Sequence, residues 1–431
     1  MFIKSFYRFF GVLLFLLMPS IALAQNHPLN QANTAWMLIS TALVLSMIPV
    51  GLGLFYGGMV RSKNILNTIG MSFVSLAIVS LLWIIIGYSL AFGPDIDGLI
   101  GSLKYIFLNN ITINSVTQTI PTYLYCTFEL SFAAVTLALI SGSVIERIKF
   151  SSWIVFGSLW VLLVYAPIAH WVWGGGFLQK MGVLDFAGGL VVEANSGVSA
   201  LVLALIVGKR KDFKKTIMPP SSIALSIIGA GFLWVGWFGF NAGSAIASNN
   251  LASYVFLTTN IAASAGALSW MFAEWMSHKH PTMLGAASGA VAGLVGITPA
   301  CGYVSVVSSL LIGIIAGIIS WIGVSYVKYK FSYDDSLDVF GVHGLNGIFG
   351  ILAVGLLATK SVSPKNGLLL GNFHTFFIEF LAIIIIIAYS ALGTFLLAKL
   401  TSILTHGLRV SEEDEQKGLD IATHTEQGFD I

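Results

Sequence analysis

Charge is what this sequence has least of. Only 9% of its 431 residues are Asp, Glu, Lys or Arg, against about 25% in an ordinary soluble domain. With 56% apolar residues, this excludes a soluble globular enzyme and points to an all-α polytopic membrane protein. The net charge of +2 is close to balance, so it gives no basis for a nucleic-acid partner. Cysteine is equally scarce. Cys126 and Cys301 lie in or beside apolar runs, which excludes a disulfide framework and reads as packing. No HExxH string occurs, so a metalloenzyme built on Glu193, His343 and His170 has no support in ligand spacing. The sequence calls for no cofactor, no metal and no catalytic residue.

What the chain has instead is apolar length. The first two dozen residues carry Lys4 and Arg8, the run GVLLFLLM and then Ala22-Leu23-Ala24. This is the form of a signal peptide cleaved after Ala24, with a retained anchoring helix as the rival reading. Eleven further apolar segments follow, at about 34–58, 65–92, 121–143, 151–168, 188–208, 221–242, 255–276, 284–299, 303–327, 339–358 and 374–404. With the mature N-terminus outside, the inner loops hold Arg61, Lys63, Arg147, Lys149, Lys209, Arg210, Lys211, Lys214, Lys215, Lys279, Lys328 and Lys330. The outer loops hold only Lys104, Lys180, Lys360 and Lys365. Twelve against four is a positive-inside bias, so the tail after Leu404 is placed in the cytoplasm of a cell with an inner membrane. The tail is polar and acidic, and by composition alone it reads as disordered.

Two stretches share a pattern. Residues 185–197 read DFAGGLVVEANSG and residues 338–350 read DVFGVHGLNGIFG, so Glu193 and His343 each sit in an apolar run with a glycine four positions later, Gly197 or Gly347. Each is preceded by an aspartate, here paired as Asp185 with Asp338. GLFYGG at 53–58 and WFGFNAG at 237–243 form a second correspondence. They predict a repeat of five spans, about 34–208 and 221–358, with the second copy inverted and span 374–404 outside it.

Ionisable residues inside a membrane mark function by default. Here they are Glu129, Glu193, Glu274, His343 and Glu379, with Asp185 and Asp338 at segment edges. If Glu193 and His343 meet on the two-fold axis, a carboxylate and an imidazole share a polar spot able to hold or relay a proton. At the outer end, HWVWGGG at 170–176 brings Trp171 and Trp173 beside close-approaching backbone, and an indole face is a seat for a small cation. Phe132 and Phe240, the latter just before Asn241, Ala242, Gly243 and Ser244, read as core or as a lid on a narrow conduit.

Several strings together resemble the Amt/Mep/Rh ammonium transporter family, in its bacterial branch. They are IPVGLGLFYGGMVRSKN at 48–64, ERIKF at 146–150, HWVWGGG at 170–176, LDFAGG at 184–189, GWFGFNAGSA at 236–245, DDSLDVFGVHG at 334–344, GLRV at 407–410 and GLD at 418–420. The resemblance implies an eleven-span transporter domain over 25–406, a regulatory tail over 407–431, and a homotrimer with one pore per subunit. It implies that ammonium is recruited by Trp173, Phe132 and Ser244, that Asp185 orders this site from below, and that Phe132 and Phe240 gate it. Glu193 and His343 would line the pore, with Asp338 in support. Glu193 stands where the family usually has a histidine, and it marks a subgroup. The implied partners are ammonium or ammonia, with methylammonium as a candidate second substrate, the bilayer, and a PII-class signal protein at the tail. A sensor that signals through the tail and a cation-coupled carrier of another small amine fit the same sequence.

Overall fold

The computed structural model describes residues 29–429; the signal-peptide expectation lies outside them. Ten described helices are long and apolar enough to cross a membrane. They are α1 Gln31–Met59, α2 Ser62–Phe92, α3 Thr122–Ser141, α4 Phe150–Met181, α5 Gly189–Val207, α6 Ile223–Gly243, α7 Asn250–His278, α9 Val306–Phe331, α10 Phe340–Leu357 and α11 Phe373–Leu404. The expected eighth span is α8, Met283–Ile297, a shorter apolar helix. At about 1.5 Å per residue it falls short of a hydrocarbon core of about 30 Å, and the chain continues from it in turns over 298–303. Helix α4 runs past its expected end, leaves helical geometry at Trp173 and resumes at Phe177–Met181. Two short hairpins, Asp95–Ile96 with Ile100–Gly101 and Val116–Thr117 with Ile120–Pro121, fill the loop between α2 and α3.

Helices α1–α5 and α6–α10 form two halves that cross at α5 and α10. The crossing is close. A Cβ on Gly197 would lie 2.2 Å from the Gly344 backbone, and one on Gly347 would lie 2.5 Å from the Ala194 backbone. These two contacts are related by the repeat and leave no room for a side chain, which is the membrane use of small residues. Helix α11 lies across the seam. Its Ser390 hydroxyl donates to Asn195 at 2.8 Å, and its Thr394 hydroxyl donates to Ser199 at 2.8 Å.

On the face opposite the hairpins, the loops are joined by ion pairs. Glu146 bonds Arg61 at 2.9 Å and Arg210 at 3.0 Å, and Arg210 bonds Asp334 at 2.7 Å. Burial alone would raise the Asp334 carboxyl, but Arg210 holds it down, to about 2. The tail is ordered on this face, contrary to its composition. It forms α12, Glu412–Lys417, and a wider turn over Asp420–His424. Glu415 bonds Arg409 at 2.6 Å and accepts from the Lys211 amide at 2.8 Å. Asp420 accepts from the amides of Asn67 at 2.8 Å and Leu66 at 3.1 Å. Helix α2 opens with a 3-10 turn over Ser62–Asn64, and those donors lie in the first turn of its α-helical part from Ile65, which Asn64 does not cap, so the tail supplies the missing cap.

Candidate functional site

A line of three cavities runs between the faces. The first, about 310 Å³, opens on the hairpin side. One face of α3 borders it, with Tyr125, Phe128, Glu129 and Phe132 at the i, i+3, i+4, i+7 spacing of a helical stripe. Trp173, where α4 breaks, and Ser244, at the end of α6, complete the wall. The Trp173 indole donates to the Asp185 carbonyl at 3.0 Å and stands at 90° to Phe132, with ring centroids 5.8 Å apart. The Ser244 hydroxyl donates to the Phe240 carbonyl at 2.8 Å, which leaves its oxygen lone pairs free to accept.

Asp185 sits beneath. Its two oxygens accept from the amides of Gly188, Gly189, Leu190 and Val191 at 2.6–3.3 Å. These four donors open α5, so the carboxylate fixes the start of the helix that carries Glu193. The floor of the vestibule is a stack of Phe132 on Phe240, with centroids 4.2 Å apart and planes 28° apart. Both rings are buried.

Below the stack lies a cavity of only about 10 Å³, bordered by Phe240, Trp237, Glu193 and His343. That is about the space of a single water. Trp237 is held by its indole donating to Thr298 at 2.8 Å. His343 Nδ1 and Glu193 Oε2 are 2.7 Å apart and share one proton. The other Glu193 oxygen is buried without a partner among the described residues, so the pair keeps a free acceptor. His343 also borders the third cavity, about 200 Å³, which opens on the tail side past Tyr56 and Asp338. The imidazole therefore stands between the narrow cavity and the tail-side opening.

The sequence matches the Ammonium Transporter Family over residues 35–429. The chain belongs to that family. It is 48% identical to the ammonium transporter of Aquifex aeolicus over 425 residues, covering 98% of this chain and 99% of that protein. It is 45% identical to the ammonium transporter of Bacillus subtilis over 405 residues, covering 93% and 99%. The crystal structure of Saccharomyces cerevisiae Mep2 superposes with a TM-score of 0.84 at 35% identity, over 90% of this chain and 89% of that one.

Within this ammonium transporter fold, one sequence correspondence needs correcting. Asp338 is not the counterpart of Asp185; Asp335 is. Asp335 lies eight residues before His343, as Asp185 lies eight before Glu193, and it accepts from the Phe340 amide at 2.8 Å where α10 begins. Asp338 instead falls at the position of Gly188. Both have a left-handed backbone, with φ of 62° and 113°, a conformation that Asp tolerates better than most residues. Its carboxylate is taken by Lys328 at 2.7 Å. The eight-residue spacing was the available signal, and the three aspartates of DDSLD obscured it. Trp171 and His170 lie away from the cavities' chemistry. The Trp171 indole donates to the Leu99 carbonyl at 2.7 Å, and His170 bonds Asp95 and the Ala91 carbonyl at 2.8 and 2.9 Å.

Proposed function

We propose that this chain transports ammonium across the inner membrane. The ion is recruited on the hairpin side by Trp173, Phe132 and Ser244 and deprotonated above the Phe132–Phe240 gate, its proton going to water in the open vestibule or, by relay, to the Glu193–His343 pair. Ammonia passes the gate to Glu193 and His343, which hold it. Ammonium, an amine acid with a pKa near that of lysine at ~10, is almost wholly charged at neutral pH. An intact ion in an apolar passage costs several kcal/mol or more, so charge and ammonia are best moved separately. The observation that carries this reading is the Glu193–His343 pair at 2.7 Å beside a cavity of about 10 Å³. A hydrated ion does not fit there, whereas a molecule of water's size does. Potassium, a similar monovalent cation, neither donates hydrogen bonds nor loses a proton.

The decisive measurement is ammonium flux together with evoked current in proteoliposomes across pH, for the wild type, Glu193→Gln and Glu193→His. Loss or displacement of the pH profile is expected in the variants. Unchanged current, pH profile and selectivity in both would overturn the role of the pair.

The excess of basic residues on the tail side supports a cytoplasmic tail and a periplasmic hairpin face. The resemblance supports a homotrimer, with the tail contributing to a site for a PII-class signal protein. Deletion after Val410 that leaves PII binding and transport undiminished would count against the tail's part. A second reading, an ammonium sensor, is favoured by one observation: the ordered tail holds loops that also hold the start of α10. A variant dead in transport yet competent in signalling would establish it, and substrate competition separates a carrier of other small amines.

A further inference from the structure

Five ionisable residues were singled out inside the spans, and four have partners. Glu193 and His343 share a proton. Glu274 accepts from the Trp270 indole at 3.0 Å and from the Thr282 amide at 2.7 Å. Glu379 accepts from the Leu184 amide at 2.7 Å. Glu129 is the exception. It is only 6% exposed and forms no salt bridge with any described residue. Among the described residues no side-chain hydrogen bond within 3.5 Å reaches its carboxyl, and Tyr125 lies beside it on the preceding turn of α3.

The surroundings say what such a carboxylate is for. Glu129 borders the hairpin-side vestibule on the same helical stripe as Phe132, one turn, about 4.5 Å, farther along the helix. The other carboxylate of that wall, Asp185, has both oxygens engaged by backbone amides. Among the described residues no lysine or arginine borders the vestibule. The wall thus carries one acidic group with free lone pairs and no basic group to neutralise it.

We propose that Glu129 is the anionic member of the recruitment site. Its carboxylate accepts an N–H from the arriving ammonium while Trp173 and Phe132 face the ion with their rings and Ser244 accepts a second N–H. A carboxylate bond to a cationic donor is about twice as strong as a neutral one, and it exceeds a single cation–π contact. Glu129 therefore sets the affinity of the entrance, while the gate and the Glu193–His343 pair set the rate. This rests on the ammonium-transport reading.

The test is uptake into proteoliposomes by the wild type, Glu129→Gln and Glu129→Asp, with KM and maximal rate measured separately at low and high choline chloride. Glu129→Gln keeps the shape beside Tyr125 and removes only the charge. It is expected to raise KM about tenfold with the maximal rate within about twofold, and Glu129→Asp to recover most of the difference. The wild-type KM is expected to rise with ionic strength, and that of Glu129→Gln to stay flat. A Glu129→Gln KM within about twofold of wild type overturns the proposal, as does a loss confined to maximal rate. If Glu129→Gln does not assemble, a wild-type KM indifferent to ionic strength overturns it. A wild type that moves no ammonium fails the transport reading itself, which the same data separate from a failure of Glu129 alone.

Discussion

The starts of α5 and α10 are two solutions to one problem. Each helix begins at the edge of the membrane with unpaired amides, and each must deliver a polar side chain to the middle. In the first, Asp185 gathers four amides on its two oxygens, and the residue before it is pinned by Glu379. In the second, Asp335 takes the Phe340 amide, one of its oxygens is left without a partner among the described residues, and the residue before it is pinned by Arg210. One end is held by backbone dipoles, the other by a net of charges. The two halves thus agree in geometry and differ in electrostatics. The difference teaches that on the tail side the start of a crossing helix depends on charge, and on the hairpin side on backbone amides.

This contrast can be broken at several points. The largest effect is expected at the crossing the halves share. Gly197→Leu, or Gly347→Leu, drives a side chain into the facing backbone and should abolish assembly, because overpacking that cannot relax costs more than the usual ~1–3 kcal/mol. Yield and elution of the purified protein report it. Next come the caps. Asp185→Asn leaves one acceptor for four buried amides and should cost about 1–3 kcal/mol for each stranded donor, so its melting temperature should fall well below that of Asp335→Asn. Equal losses would mean that the two starts are not built differently.

A smaller effect separates the second helices of the two halves. Helix α7 caps itself, with Asn249 accepting from the Ala252 amide at 3.0 Å, whereas α2 borrows Asp420. Asp420→Ala should cost about 1 kcal/mol and expose the tail to protease, while Asn249→Ala should leave the tail protected. The smallest effect under working conditions is that of acid. Because Arg210 depresses the Asp334 carboxyl from 3.8 to about 2, its contribution is fully present above pH 3.8 and is lost as pH falls through 2. Tail protection against an acid-active protease should therefore be flat from neutrality to about pH 4 and decline below it.

Much of the fold was legible because its signal is local. Apolar runs and basic loops located the ten long spans and the shorter α8, and the matching patterns around Glu193 and His343 identified the two segments that cross. The short α8 was harder, since its run LGAASGAVAGLVG shows the small residues of close packing and not the place where the helix gives way to turns. What stayed hidden depends on contacts between distant positions. Asp335 is told from Asp338 by which backbone amide each meets, and three aspartates within five residues blur that choice. The tail looks disordered because composition counts its charges but not their partners, and several of those partners, such as the amides of Leu66, Asn67 and Lys211, lie hundreds of residues earlier. Glu129 was visible as an expensive residue, but its openness to the vestibule depends on what every other charge in the wall is doing.

The borrowed cap on α2 has a consequence in time. Helix α2 is the second described span, yet the group that completes the first turn of its α-helical part belongs to residue 420 and does not exist until all the later spans have been translated. Until then two amides at the membrane edge wait on water. A chain that stops before residue 420 keeps that edge uncapped.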